Sequence, residues 1–252
     1  MCFCGFFDSC AAVETASKPI YAKNITPAAI GNWTDGELYR LITAGVNKNN
    51  EALFPLMPYL SYSIMDPDDV QSIICYIRTL KPVSNNVPES KLNFPLNYIV
   101  RTMPKDPAPM KRPPESDRVN YGHYLARLAG CSDCHTPMAK GEPIPGKEFA
   151  GGNEFVISNY GTVRSANITP NKNTGIGNWT EDFFVERFKY YDNPEKKYIK
   201  INPGELQTYM PWTLFAGMKE NDLRAIYSYL KTLKAVDNRV IKFTPHREIT
   251  MK

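Results

Sequence analysis

The 252-residue chain has no run approaching the ~20 consecutive apolar residues that a membrane-spanning helix needs, so no such span is expected. It has little excess of either charge. Thirty Lys and Arg against 26 Asp and Glu leave a net +4, and there is none of the basic striping that nucleic-acid binding uses. Histidine is scarce: His123, His135 and His246 are the only three, and residues 1–56 hold none. Six cysteines are too few for a disulfide scaffold at this length,. The opening MCFCGFFDSC lacks the basic start of a secretory leader, its first basic residue being Lys18,. Phe7-Asp8-Ser9 before Cys10 is equally unlike the small aliphatic residues that precede a lipidated cysteine. What the chain does have is 42% hydrophobic and 22% charged residues, which excludes a disordered chain or a membrane bundle,. It also has 21 prolines, which predict much loop,. At about 150 residues per domain, the length fits one or two domains.

Four blocks occur twice in the same order. Asn24-Ile25-Thr26-Pro27 returns as Asn167-Ile168-Thr169-Pro170, and Ile30-Gly31-Asn32-Trp33-Thr34 as Ile176-Gly177-Asn178-Trp179-Thr180. Met57-Pro58-Tyr59 returns as Met210-Pro211-Trp212, and Cys75-Tyr76-Ile77-Arg78-Thr79-Leu80-Lys81 as Ser228-Tyr229-Leu230-Lys231-Thr232-Leu233-Lys234. The offset grows from 143 to 146 to 153, so the second copy carries two small insertions. Kept order of this kind marks an internal repeat. Between the copies, residues 82–115 hold eight of the 21 prolines and are expected to run extended as a linker,.

Each copy should end in a helix. Leu223, Ile226, Tyr227 and Leu230 make one apolar stripe, and Val70, Ile73, Ile74 and Ile77 another,. Asp66 before Pro67 is an N-cap with proline at the first helical position. A further helix is expected over 117–129, capped by Ser116 or Asp117, with Tyr121, Leu125 and Leu128 in its stripe and Gly130 at its end. No strand pattern is convincing.

Cys131-Ser132-Asp133-Cys134-His135 is C-x-x-C-H, the attachment signature of c-type haem,. Two thiols at this spacing can each form a thioether to one vinyl group of one macrocycle, and His135 then presents an imidazole to the iron. A zinc site would want a second short-spaced Cys/His pair, which is absent. A thioredoxin-like pair would want a βαβ context. Met210, 75 residues after His135, is the expected second axial ligand, with Met218 as the alternative. Met138 is too near His135 to reach the opposite face. A thioether opposite an imidazole favours ferrous iron and raises the potential. Trp179 and Trp212 are expected as pocket wall, and His123 and His246 as surface residues. Met210 could instead be core packing, the usual role of methionine.

Gly130 to Pro137, then N-I-T-P, G-x-W-T, M-P-W and an amphipathic helix resemble the bacterial multi-domain, often dihaem, c-type cytochromes, including cytochrome subunits of periplasmic dehydrogenases. The resemblance covers residues 116–236 closely and 20–83 in part. It implies an all-α chain of class I cytochrome c fold, made of two tandem cytochrome-c-like domains with long loops. Residues 1–84 would be an incomplete domain without C-x-x-C-H, 85–115 a Pro-rich linker, and 116–252 the complete haem-binding domain. Gly122 would suit the close crossing of first and last helices. The first copy lacks a leading helix and a proximal histidine, so Met57 has no iron from this chain, and Ile73 and Ile77 would be left exposed. Cys2 and Cys4, spaced C-x-C without a following histidine, are not promoted to a site.

The expected function is therefore electron transfer by one haem c at Cys131 and Cys134, with His135 and Met210 on the iron and no catalytic side chains. A second haem is expected only if sequence upstream of Met1 is missing. Partners would be redox proteins: a dehydrogenase, a quinol-linked complex or a terminal oxidase. The cluster Lys189, Lys196, Lys197 and Lys200 could steer an acidic partner but reads first as a solvated face. An alternative is a haem-dependent oxidoreductase acting on a small sulfur or alcohol substrate, marked by loss of Met210 ligation or a distal cysteine. Cys75, at the place of Ser228, is expected to be packed. A third is a structural subunit of a respiratory assembly. Haem attachment to reduced thiols outside the cytoplasm implies a periplasmic location.

Overall fold

The computed structural model describes residues 13–15, 18–139, 142–157, 161–197, 199–202, 204–206 and 208–245. The chain divides into two compact units, Met1–Arg112 and Pro113–Lys252.

The first unit opens with an antiparallel hairpin, β1 (Val13–Thr15) and β2 (Lys18–Ile20), with Val13 opposite Ile20. Five helices follow: α1 (Pro27–Ile30), α2 (Asp35–Ala44), α3 (Tyr59–Tyr62), α4 (Pro67–Thr79) and α5 (Leu96–Ile99). Thr34 and Glu37 form a reciprocal capping box that fixes the start of α2,. Gly45 ends α2 in the left-handed conformation (φ 69°). The ring of Tyr59 lies where its Cβ would be, so only glycine fits there,. Leu38, Ile42, Tyr59, Val70 and Ile74 are the buried centre of this unit. Asp66 caps α4 with Pro67 at its first position, as the sequence predicts. On α4, Val70 and Ile74 are buried, Ile77 is half-buried, and Ile73 is 38% exposed.

The proline-rich stretch is held along this unit. The amides of Ala108 and Met110 donate to the carbonyls of Ser63 and Ile64, each at 3.0 Å. The amide of Arg112 then donates to the Asp66 carboxylate at 2.7 Å.

The second unit is built on the crossing of α6 (Arg118–Leu128) with α11 (Glu220–Thr232). At the crossing a Cβ on Gly122 would run into the backbone carbonyl of Ala225, which is why the helices can approach only with glycine here. Between them come the one-turn α7 (Cys131–His135), the pairs β3 (Met138–Ala139) with β4 (Glu142–Pro143) and β5 (Glu154–Ile157) with β6 (Gly161–Arg164), then α8 (Glu181–Lys189), α9 (Pro194–Lys197) and α10 (Trp212–Phe215). After α11 the tail returns as β7 (Phe243–Pro245), which pairs antiparallel with β6 and completes the order β5-β6-β7. Ala126, Phe149, Ile176, Phe184, Val185, Phe188, Phe215, Leu223, Ile226 and Leu230 form one buried core.

The repeated blocks make the same local bonds. Asn24 Oδ1 accepts from the amide (2.9 Å) and hydroxyl (2.8 Å) of Thr26, while its Nδ2 donates to Val83 O at 2.8 Å. Asn167 does the same to Thr169 (2.9 and 2.8 Å) and to Val236 O (2.8 Å). In both cases the N-I-T-P block clasps the chain just after the long terminal helix. Pro58 (φ −77°, ψ 56°) and Pro211 (φ −79°, ψ 61°) each centre an inverse γ-turn, closed by Tyr59 N to Met57 O at 2.7 Å and Trp212 N to Met210 O at 2.8 Å,.

The expectation of an all-α chain is wrong. Only 40% of the structure is helical, and three antiparallel sheets are present among the described residues. The strands are two to four residues long, too short for period-two alternation to register,. Several carry residues that disfavour strands, among them Pro19, Gly161 and Pro245,. The pairing of β6 with β7 also joins segments far apart in sequence, which local patterning cannot reveal.

Candidate functional site

Gly130 makes the site possible. With φ 68° it ends the α6 segment and caps α7 in one residue, a conformation costly for any side chain,. The chain therefore turns sharply, and α7 presents Cys131, Cys134 and His135 in a single turn. Asn153 closes the other end: its Nδ2 donates to Cys134 O at 2.9 Å and Thr136 O at 2.7 Å, satisfying carbonyls that a helix end leaves open,.

The His135 ring is fixed by one bond, between Nδ1 and Ala166 O at 2.7 Å. A carbonyl only accepts, so Nδ1 carries the proton and Nε2 keeps a free lone pair. His135 O in turn accepts from Gly151 N at 2.6 Å. Burial pushes the His135 pKa below the usual imidazole range, against the opposing pull of the Ala166 carbonyl,. The ring is thus neutral near pH 7, the form that ligates a metal.

Both thiols resist ionisation. Burial, reinforced by Cys134 and Asp133, pushes the Cys131 pKa up to about 12. Cys134, the more exposed residue, is raised in the same direction by partial burial and then Asp133. Cys131 borders the buried core, as do Met210, Trp179, Trp212 and Met218.

Trp212 stacks on Tyr191 at 5.4 Å and 19°, with the Arg187 guanidinium 5.4 Å from its ring centre. Trp179 O accepts from the Tyr227 hydroxyl at 2.6 Å. Tyr209, next to Met210, stacks on Phe155 of β5 at 5.0 Å. Met138 lies in β3, 46% exposed. His123 is an exposed residue stacked on Tyr229 at 4.8 Å, and His246 lies outside the described residues. The expected lysine cluster is dispersed in role. Lys189 is committed to Ala216 O (2.8 Å) and Met218 O (2.7 Å), Lys196 sits over Tyr190, Lys200 is exposed and the Lys197 side chain is outside the described residues. Cys75 is exposed rather than packed, and Cys2, Cys4 and Cys10 lie outside the described residues.

The donors fit a covalently held haem better than a bare ion. Among the described residues no group of three or more His, Cys, Asp or Glu is placed to hold a metal ion. Two thiols and one oriented neutral imidazole on a single turn are the attachment set of haem c. Asn153, Gly151 and Ala166, which hold that set, gave no sequence signal, since two of them act through backbone atoms.

Residues 119–234 match the cytochrome c family. That segment is similar to a cytochrome c domain, and electron transfer is the function this similarity supports. The match falls wholly within the second unit, so the comparison gives one cytochrome c domain and not the two in tandem that the repeat led us to expect.

Similar proteins carry the same stamp. The chain is 29% identical over 240 residues to the fructose dehydrogenase cytochrome subunit of Gluconobacter japonicus, covering 89% of this chain and 46% of that protein. It is 26% identical over 243 residues to the cytochrome c subunit of the quinone alcohol dehydrogenase of Gluconobacter oxydans, covering 89% and 49%. It is 27% identical over 224 residues to a diheme cytochrome c-type protein of Cereibacter sphaeroides, covering 85% and 71%. The chain spans about half the length of the first two. Among the described residues no helix is long and apolar enough to cross a membrane.

Proposed function

We propose that the chain is a single-electron carrier that holds one haem c on its second unit and receives electrons from a dehydrogenase. Cys131 and Cys134 would hold the haem through thioethers, and His135 Nε2 and the Met210 thioether would ligate its iron. The bound group would supply ferric/ferrous one-electron chemistry; the protein orients it, keeps water from the core side and sets ligand strength. The observation that carries this reading is the α7 turn itself, with its two thiols and an imidazole whose Nδ1 is already committed to Ala166 O.

Dehydrogenase cytochrome subunits among the similar proteins support a dehydrogenase as electron donor. Maturation on reduced thiols supports a periplasmic site of action. The first unit repeats the asparagine clasp and the Met-Pro-aromatic turn, yet it has no C-x-x-C-H, so a second haem has no attachment motif within the 252 residues.

Met210→Ala in the full chain tests the assignment. It should keep covalently bound haem, lose the long-wavelength thioether-to-iron band of the ferric protein and lower the midpoint potential. An unchanged band would remove Met210 from the iron and turn attention to Met218.

A further inference from the structure

We infer that Asn238, in the tail beyond α11, is a positioning residue for the haem iron, acting on His135 through Gly151 and Ala166. This rests on the reading of His135 as the proximal ligand.

The links are all direct. Asn238 Nδ2 donates to Ala150 O at 2.9 Å and reaches Gly151 O at 3.4 Å. Gly151 is in the left-handed region (φ 72°), and a Cβ on it would run into the carbonyl of Ala166, so the two backbones are in direct contact. Gly151 N donates to His135 O at 2.6 Å, and Ala166 O holds His135 Nδ1 at 2.7 Å. Two segments packed together at the base of the β5–β6 hairpin therefore grip the histidine, Gly151 by its backbone and Ala166 by its ring, and Asn238 pins the Gly151 segment from behind. Asn238 is itself held on both sides. Its amide donates to Thr174 Oγ1 at 3.1 Å, and its carbonyl is 3.4 Å from Asn167 Nδ2.

The consequence is electronic. A firm Nδ1–H···O=C bond gives the imidazole more anionic character and makes it the stronger donor to ferric iron, which lowers the potential. Releasing the loop lengthens that bond and raises the potential.

The experiment compares full-length holoprotein, wild type, Asn238→Ala and Asp237→Ala. Asp237 Oδ1 accepts from Thr174 Oγ1 at 3.2 Å and so anchors the same tail without touching the loop. Asn238→Ala should raise the midpoint potential and speed exchange of the His135 Nδ1 proton in the ferrous protein. Asp237→Ala should lower stability comparably while leaving both unchanged. An Asn238→Ala potential equal to wild type, or an equal shift in Asp237→Ala, overturns the inference. If Asn238→Ala fails to assemble, Asn238→Ser, whose shorter arm cannot reach Ala150 O, must show the shift. A wild-type chain without haem on His135 would instead sink the underlying reading, before either variant is compared.

Discussion

Asp66 joins two stretches of chain with one carboxylate. Its side chain is 4% exposed, and it accepts from Arg112 N at 2.7 Å and Asp68 N at 3.0 Å with the Lys111 ammonium 3.3 Å away. These donors, the Arg112 amide foremost, hold its pKa below the usual carboxylate value. A depressed folded pKa gives stability that is complete above the unfolded value and is lost as pH falls through the folded one. Asp66→Asn should therefore destabilise the first unit by about 2 kcal/mol near pH 7, the scale of hydrogen bonds to a charged acceptor. The gap to wild type should close as the pH drops below about 4. Denaturant melts at a series of pH values check this, and a gap that stays constant contradicts it. Asp66 was legible as a cap because Asp-Pro before a helical stripe has one structural meaning. Its reach to Arg112 was not, because a backbone amide leaves no mark in the sequence. The same division runs through the candidate site: Cys131, Cys134 and His135 were proposed from their spacing, whereas Ala166 and Gly151 reach His135 through backbone atoms and Asn238 reaches their segment only through the fold.

At the scale of elements, α7, with its C-x-x-C-H residues, follows directly from α6, which crosses α11. Tyr121, Tyr124 and Ala126 on one helix, and Leu223, Ile226 and Leu230 on the other, bury one face each. Gly122 lets the backbones meet at Ala225. Gly122→Ala should cost about 3 kcal/mol, the upper end for a methyl forced into a packed site. Thermal melts of the holoprotein check this, and a loss under 1 kcal/mol would mean that the crossing relaxes. The long helices were legible because their stripes persist for three turns. The strands were not, because two to four residues cannot establish a period and β7 joins β6 only through the tertiary fold. The tail that forms β7 also carries Asn238, whose side-chain amide donates to Ala150 O beside Gly151.

For the whole molecule, the matching sequence blocks make matching local hydrogen bonds in both units, in the Asn24 and Asn167 clasps and the Pro58 and Pro211 turns. The C-x-x-C-H motif lies in the second, where the cytochrome c match falls. Repeated blocks without a repeated histidine are why block order suggested two tandem domains, the first of them incomplete. The electron-carrier reading requires one haem c on Cys131, Cys134 and His135. The most direct test is the haem-to-chain ratio, by pyridine haemochrome against protein concentration on chain matured in a periplasm, followed by proteolysis and mass analysis of the haem peptide. One haem per chain is expected, covalently attached to the peptide containing residues 131–135. No covalent haem, or haem attached to any other peptide, would contradict it.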